Sequence, residues 1–280
     1  THFSSYLKYY GFEPLEGVLW RYLRWFYEQC RQIYVPSLSM ANVLRAHDID
    51  RGLRIWERGV ETDRFNPDYR SIRWRRERGI DDDEVVVTFV SRLVWEKGLG
   101  AFAEIIRELE EREVPHRSMV VGEGPAKEKL ARQLPNTLFT GHLDGDALSH
   151  AYASSDVFLF PSDTETFGNV TLEAMASGVP TVCADATGSD VLVDEGETGF
   201  LAEPDDIEQF VDRVRTLVEE PGLRYQMGQA ARKRACTYDW HSVLTRISDY
   251  YREILAPEDI LQSSPSPATS TADLAPASAS

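Results

Sequence analysis

A chain of 280 residues, 42% hydrophobic and 27% charged, has an ordinary globular composition and the length for one large domain or two. Its formal net charge of −16 argues against broad nucleic-acid binding and against electrostatic docking of the whole chain onto anionic lipid, although a local basic patch stays open. No apolar run approaches the ~18 residues of a membrane span, no signal-peptide pattern opens the chain, and Cys30, Cys183 and Cys236 are odd in number and lack metal spacing, so they read as buried, reduced thiols of a cytosolic protein.

The first residue is Thr1 rather than Met, and a cut or incomplete chain is expected. A short aromatic segment, residues 1–6, opens it. Residues 14–30 read as a helix, with Leu15, Leu19, Tyr22, Leu23 and Phe26 at helical spacing and Trp20 and Trp25 off that stripe. Arg21, Arg24 and Arg31 add positive charge, so this segment is either a face for a membrane or lipid acceptor or a surface that packs within its own domain. Residues 32–36 form a short strand, Ser37 caps a helix to about residue 46, and residues 53–56 form another strand. A short helix end at 75–79 and an acidic turn at 81–84 follow.

From there strand and helix alternate. Strand 85–90 runs into a loop with two cations, Arg92 and Lys97, and then a helix over 99–112. Lys97 is one of 5 lysines beside 25 arginines. Strand 118–121 leads to Gly122-Glu123-Gly124-Pro125 and a helix at about 126–133. Strand 137–140 leads to Gly141-His142-Leu143 and a helix over 146–154. The run Val157-Phe158-Leu159-Phe160, stopped by Pro161, is a fully buried strand. A polar loop with Glu165 follows. Gly168 and Asn169 open a helix that carries Glu173, Gly178 closes it, and Pro180 prevents its extension. Residues 179–184 form a strand, 188–190 and 194–198 form turns, and 199–201 form a short strand. Helices at 205–219 and 222–236 precede a last helix from 238 to about 255. The Ser, Pro, Ala and Thr tail from residue 257 is expected to be disordered.

This alternation predicts an α/β fold with a doubly wound parallel sheet, whose strand-to-helix loops open on one edge. The amides at Phe167, Gly168 and Asn169 then sit at a helix start, which suits a phosphate. Carboxylates beside an anion site make sense when the ligand also offers hydroxyls, as a nucleotide or a sugar does. The plain alternative is that Glu173 favours the helix dipole and Glu165 is a solvated loop residue. Asp144-Gly145-Asp146 has the spacing of a metal motif but precedes a helix, where acidic residues are common. Gly122-x-Gly124 begins a dinucleotide fingerprint that Lys127 breaks.

Glu165-x7-Glu173 in ETFGNVTLE, Arg92 and Lys97 in SRLVWEKG, GEGP at Gly122, FTGHL at Phe139, SDVFLFPS before the first glutamate and EGETGFL at Glu195 are collinear along most of the chain. In this order they resemble the retaining group 1 glycosyltransferases (family 4) of the GT-B fold. The resemblance implies a Rossmann-like nucleotide-sugar domain over 59–239, a truncated remnant of an N-terminal acceptor domain over 1–58, a helix crossing back to it over 240–257, and a tail over 258–280. It implies that Arg92 and Lys97 stabilise the β-phosphate of a departing nucleoside diphosphate, helped by the amides of Phe167, Gly168 and Asn169. Glu165 then accepts hydroxyls of the donor sugar and Glu173 those of the ribose. Gly122 and Gly124 let backbone approach the nucleotide, and Gly141, His142 and Leu143 flank the base, with contact by the His142 ring left open. A family histidine near the donor sugar falls before Thr1, and the role does not pass to His2.

The implied reaction moves a hexose from a UDP- or GDP-sugar to an acceptor with retention, without metal or cofactor. The WRYLRWF helix at Trp20 and RGVETDRFNP at Arg58 look most like members that make glycolipids or mannosyl lipids, so a lipid acceptor and a peripheral place at the inner face of the membrane are expected. Two alternatives stay open: a nucleotide-sugar-binding fragment without turnover, and a GT-B sugar-nucleotide epimerase.

Overall fold

The computed structural model describes residues 13–255; the readings of the opening aromatic segment, of His2 and of the tail lie outside them. The helix α1 (Glu16–Glu28) comes first. It is followed by β1 (Ile33–Val35), α2 (Leu38–Arg45), β2 (Leu53–Ile55) and a short α3 (Ile72–Arg76). The remainder alternates: β3 (Val86–Val90), α4 (Leu99–Glu111), β4 (Arg117–Val121), α5 (Lys127–Gln133), β5 (Leu138–Gly141), α6 (Gly145–Ala153), β6 (Val157–Phe160), α7 (Asn169–Ala176), β7 (Thr181–Ala184), α8 (Ser189–Leu192) and β8 (Gly199–Ala202). Then come three helices, α9 (Ile207–Glu219), α10 (Pro221–Ala235) and α11 (Trp240–Leu255).

Strands β3 to β8 form one sheet, parallel throughout, in the order β5-β4-β3-β6-β7-β8. The α/β expectation holds. Every residue of β3, β6 and β7 is buried, as strands covered on both faces by helices must be. Phe89 lies 5.5 Å from Phe160 and 5.0 Å from Phe102, ring centre to ring centre, joining the central strands to α4. The chain adds strands to one side after β3 and to the other side after β6. The order therefore reverses between two adjacent strands, the place where such sheets bind ligands.

A second pair, β1 and β2, is also parallel, and its cluster of Trp20, Leu23, Ile33, Val35, Met40, Ala41, Leu44 and Ile49 is separate from the main core. Ser37 caps α2 by accepting from the Met40 N–H at 3.1 Å. The helix α11 lies against this pair. Tyr250 Oη donates to Ile55 O at 3.1 Å, and the Tyr34 and Tyr250 rings stack with centres 6.0 Å apart.

Four readings change. The buried face of α1 holds Trp20 and Leu23, whereas Leu15, Tyr22 and Phe26 are about half exposed. This helix is apolar on most of its circumference, so periodicity alone does not choose its inner face. Residues 189–192 are a short helix rather than a plain turn. The helix near residue 75 starts earlier, at Ile72, because Ser71 caps it through the Trp74 N–H. Cys183 is buried but Cys236 is exposed and Cys30 half-buried, and none of the three is in a disulfide. Among the described residues no helix is long and apolar enough to cross a membrane.

Candidate functional site

The loops after β3 and β6 meet at the carboxyl edge of the sheet. The first makes a tight 3-10 turn at Trp95–Lys97 and leaves it through Gly98, whose φ is 74°. A Cβ at Gly98 would lie 2.5 Å from Pro161 O, so only glycine lets this loop rest on the start of the next. Thr164 Oγ1 then donates to Glu96 O at 2.8 Å, and Lys97 Nζ donates to Glu165 Oε1 at 2.5 Å. Both ionised side chains are mostly covered, Lys97 13% and Glu165 15% exposed. Arg92, on the same loop as Lys97, is exposed, while its neighbour Leu93 is fully buried and anchors the turn.

Past Glu165 the chain is held by the buried ring of Phe167, which meets Tyr238 edge-on with centres 6.0 Å apart. Gly168 takes φ 89° at the N-cap of α7 without a side-chain cap. The amides of Phe167, Gly168 and Asn169 donate no backbone hydrogen bond among the described residues. They form a ready set of donors for an anion. Gly188 backs this turn, and a Cβ there would lie 3.0 Å from Phe167 N. From the β1–β2 unit, Ser37 Oγ reaches Thr166 O at 3.4 Å and Ser39 Oγ reaches Asp190 Oδ2 at 2.5 Å.

Glu173 sits one turn into α7. Its Oε2 accepts from the Tyr152 hydroxyl at 2.9 Å. Burial pushes its carboxyl up to about 7, against the pull of that hydroxyl and of the Arg64 guanidinium. The fully buried Tyr152 is raised well above an ordinary phenol, by burial first and then by Glu173. Glu173 therefore approaches neutral pH half-protonated, held by a fixed donor. The sequence reading missed Tyr152 and Arg64; the apolar spacing of α6 marks Tyr152 only as a core residue.

The glycines of GEGP have a structural reason of their own. A Cβ at Gly122 would lie 1.9 Å from Ser91 O, and one at Gly124 would lie 2.4 Å from Leu93 O. Leu93 N–H donates to Glu123 O at 2.9 Å and Gly122 N–H to Gly141 O at 2.8 Å, so the three loops after β3, β4 and β5 are laced together. His142 is exposed on this edge, and Leu143 packs partly on the core. Asp144 is the N-cap residue of α6, but its side chain makes no cap bond. Of the residues singled out above, the structure brings Lys97 and Glu165 into direct contact, while Glu173 lies within α7 against Tyr152.

A fully parallel α/β sheet whose loops after β3 and β6 meet at the point where the strand order reverses has the architecture of a ligand-binding domain. Residues 71–234 match the family described as glycosyl transferases group 1, and residues 1–64 match glycosyltransferase family 4. The chain belongs to the group 1 glycosyltransferases. It is 38% identical over 256 residues to sulfoquinovosyl transferase SQD2 of Arabidopsis thaliana, an alignment that covers 88% of this chain and 49% of that protein. It is 34% identical over 255 residues to a GDP-mannose-dependent alpha-mannosyltransferase of Mycolicibacterium smegmatis, covering 91% of this chain and 66% of that one. The chain thus spans between 49% and 66% of the length of these curated relatives. Among solved structures it shares its fold with Anabaena Alr3699/HepE in complex with UDP and glucose. The TM-score is 0.74 at 19% identity, over 84% of this chain and 66% of that one.

Proposed function

We propose that this chain is the donor-binding part of a retaining hexosyltransferase that uses a UDP- or GDP-sugar. The observation that carries the reading is the meeting of Lys97 and Glu165 at the strand switch point, beside the open amides at Gly168 and Asn169. Departure of a nucleoside diphosphate builds charge on the β-phosphate, and Arg92 and Lys97 stabilise that charge more in the transition state than before it. The amides from Phe167 to Asn169 assist. Glu165 accepts hydroxyls of the transferred sugar, and Glu173, oriented by Tyr152, accepts those of the ribose. Gly122, Gly124 and the Gly141, His142, Leu143 turn form the wall beside the nucleotide. No metal or cofactor enters this scheme. The relative named as a GDP-mannose-dependent mannosyltransferase supports a sugar-nucleotide donor.

The test is transfer. The chain is incubated with labelled UDP-glucose or GDP-mannose and diacylglycerol vesicles, and the anomeric configuration of any glycolipid is read by NMR. A glycolipid with the donor's configuration supports the reading. Conversion of the donor to its epimer without acceptor overturns it in favour of an epimerase. Donor binding without turnover assigns the chain to binding alone.

A further inference from the structure

At the amino edge of the sheet, across its width from Lys97 and Glu165, a cleft of about 340 Å³ opens between α10, the end of α7 and the segment before α3. That volume is within the range of small-molecule sites. Asp156, immediately before β6, lies in its wall. Arg70 Nη2 and Arg75 Nη1 donate to its two oxygens at 2.8 and 3.0 Å, and one of those oxygens also accepts from the Val86 N–H. The carboxylate is thereby satisfied.

Arg224, from the first turns of α10, faces the same cleft. Its Nη1 donates to Leu217 O and Val218 O at the end of α9, while its Nε and Nη2 have no partner among the described residues. Burial depresses its guanidinium, Asp156 opposes this, and the charge of Arg70 adds to the depression. Arg70 and Arg75 pair with Asp156, and Arg224 adds a third guanidinium close enough to feel both Asp156 and Arg70 without an ion pair of its own among the described residues. Ser177 also lines the cleft, and its buried hydroxyl has no partner among the described residues. Tyr225, 70% exposed, and Gln229 stand at the rim.

We propose that this cleft is a second binding site, for a small phosphorylated metabolite whose phosphoryl group seats on Arg224 and Arg70 and whose hydroxyls meet Tyr225 and Gln229. Guanidinium–phosphate bonds are charge-assisted and directional, and an oxyanion here relieves the repulsion between the two arginines. The site is separate from the donor edge, because Asp156 and Pro180 precede the strands whose far ends carry Glu165 and the loop after β7.

The test is calorimetric titration of the full chain with ribose 5-phosphate and, separately, inorganic phosphate, at ionic strength fixed with KCl. The expected result is saturable binding of ribose 5-phosphate, tighter than phosphate and undiminished by saturating UDP or GDP. Arg224→Gln is expected to weaken it by about tenfold or more. Since Arg224 also bonds the end of α9, Tyr225→Glu is the second variant: it places a carboxylate at an exposed rim position and is expected to abolish binding while leaving the thermal midpoint unchanged. Absence of saturable binding, equal binding by Tyr225→Glu and wild type, or displacement by nucleotide would overturn the proposal. Equal affinity for the two phosphates would overturn the role given to Tyr225 and Gln229.

Discussion

Lys97 Nζ lies 2.5 Å from Glu165 Oε1, and the two residues come from loops that leave neighbouring strands on either side of the point where the strand order reverses. The two form an ion pair. In the proposed reaction they take different partners, Lys97 a phosphate and Glu165 a sugar hydroxyl. A nucleoside diphosphate must therefore compete with Glu165 for the ammonium group.

Glu165→Gln removes that competitor. UDP or GDP is expected to bind the variant about three- to tenfold more tightly, whereas the sugar nucleotide gains nothing over the bare nucleotide and turnover falls at least a hundredfold. Calorimetry with both ligands checks this. Nucleotide affinity equal to wild type would mean that the ion pair does not guard the site.

Gly98 and Gly100 make a controlled pair. Alanine at Gly98 meets Pro161 O at 2.5 Å in a left-handed conformation, and the expected cost is on the order of 2 kcal/mol, with weaker nucleotide binding as the Lys97 loop lifts. Gly100, in α4, has nothing within 4 Å of an added Cβ, and Gly100→Ala is expected to stabilise by about 0.5–1 kcal/mol. Urea denaturation of both variants decides it. Equal effects would contradict the loop packing described here.

Glu173 links stability to pH. The folded chain holds its proton up to about pH 7, whereas the carboxyl has an ordinary value of 4.5, so the folded state binds more protons in between. Its contribution is therefore fully present below about 4.5 and is lost as pH rises to about 7, a change on the order of 3 kcal/mol. Glu173→Gln keeps an acceptor for Tyr152 and removes the charge. It is expected to raise the thermal midpoint at pH 8 and to have little effect at pH 4.5, while weakening nucleotide binding at pH 8 by about tenfold. A midpoint shift that does not depend on pH would contradict this account.

Arg75 is 1% exposed and binds Ser154 O, Asp81 O, Glu84 O and Asp156. Arg75→Met is expected to cost about 3–5 kcal/mol, because Asp156 keeps a reduced partner set and three carbonyls each lose a donor. Arg73→Ala, which breaks only the exposed pair with Glu77, is expected to leave the denaturation midpoint unchanged. Chemical denaturation of the two variants checks both.

The elements of the main sheet were legible because fully buried strands such as VVTFV and VFLF alternate with helices, two of them opened by the left-handed glycines Gly98 and Gly168. That the loops holding Arg92, Lys97 and Glu165 leave the carboxyl ends of neighbouring strands followed from that alternation. The direct pairing of Lys97 with Glu165 did not, since it depends on Gly98 resting on Pro161, a contact between residues far apart in sequence. Gly122 and Gly124 were read for approach to a ligand, yet each is needed for the close approach of two loops, and glycine carries no mark that separates the two uses. Tyr152 was hidden because a core aromatic and a hydroxyl donor are the same residue. The inner face of α1 was misread because apolar residues surround that helix.

Calorimetric titration of the chain with UDP, GDP and ADP, beside an Arg92→Ala/Lys97→Ala double variant, tests the central claim most directly. The account predicts that one uracil or guanine nucleotide binds the wild type and that the double variant binds it at least about a hundredfold more weakly with its fold intact. A folded wild type that binds none of them, or a double variant that binds as well as wild type, would contradict the assignment of the diphosphate site to this edge of the sheet.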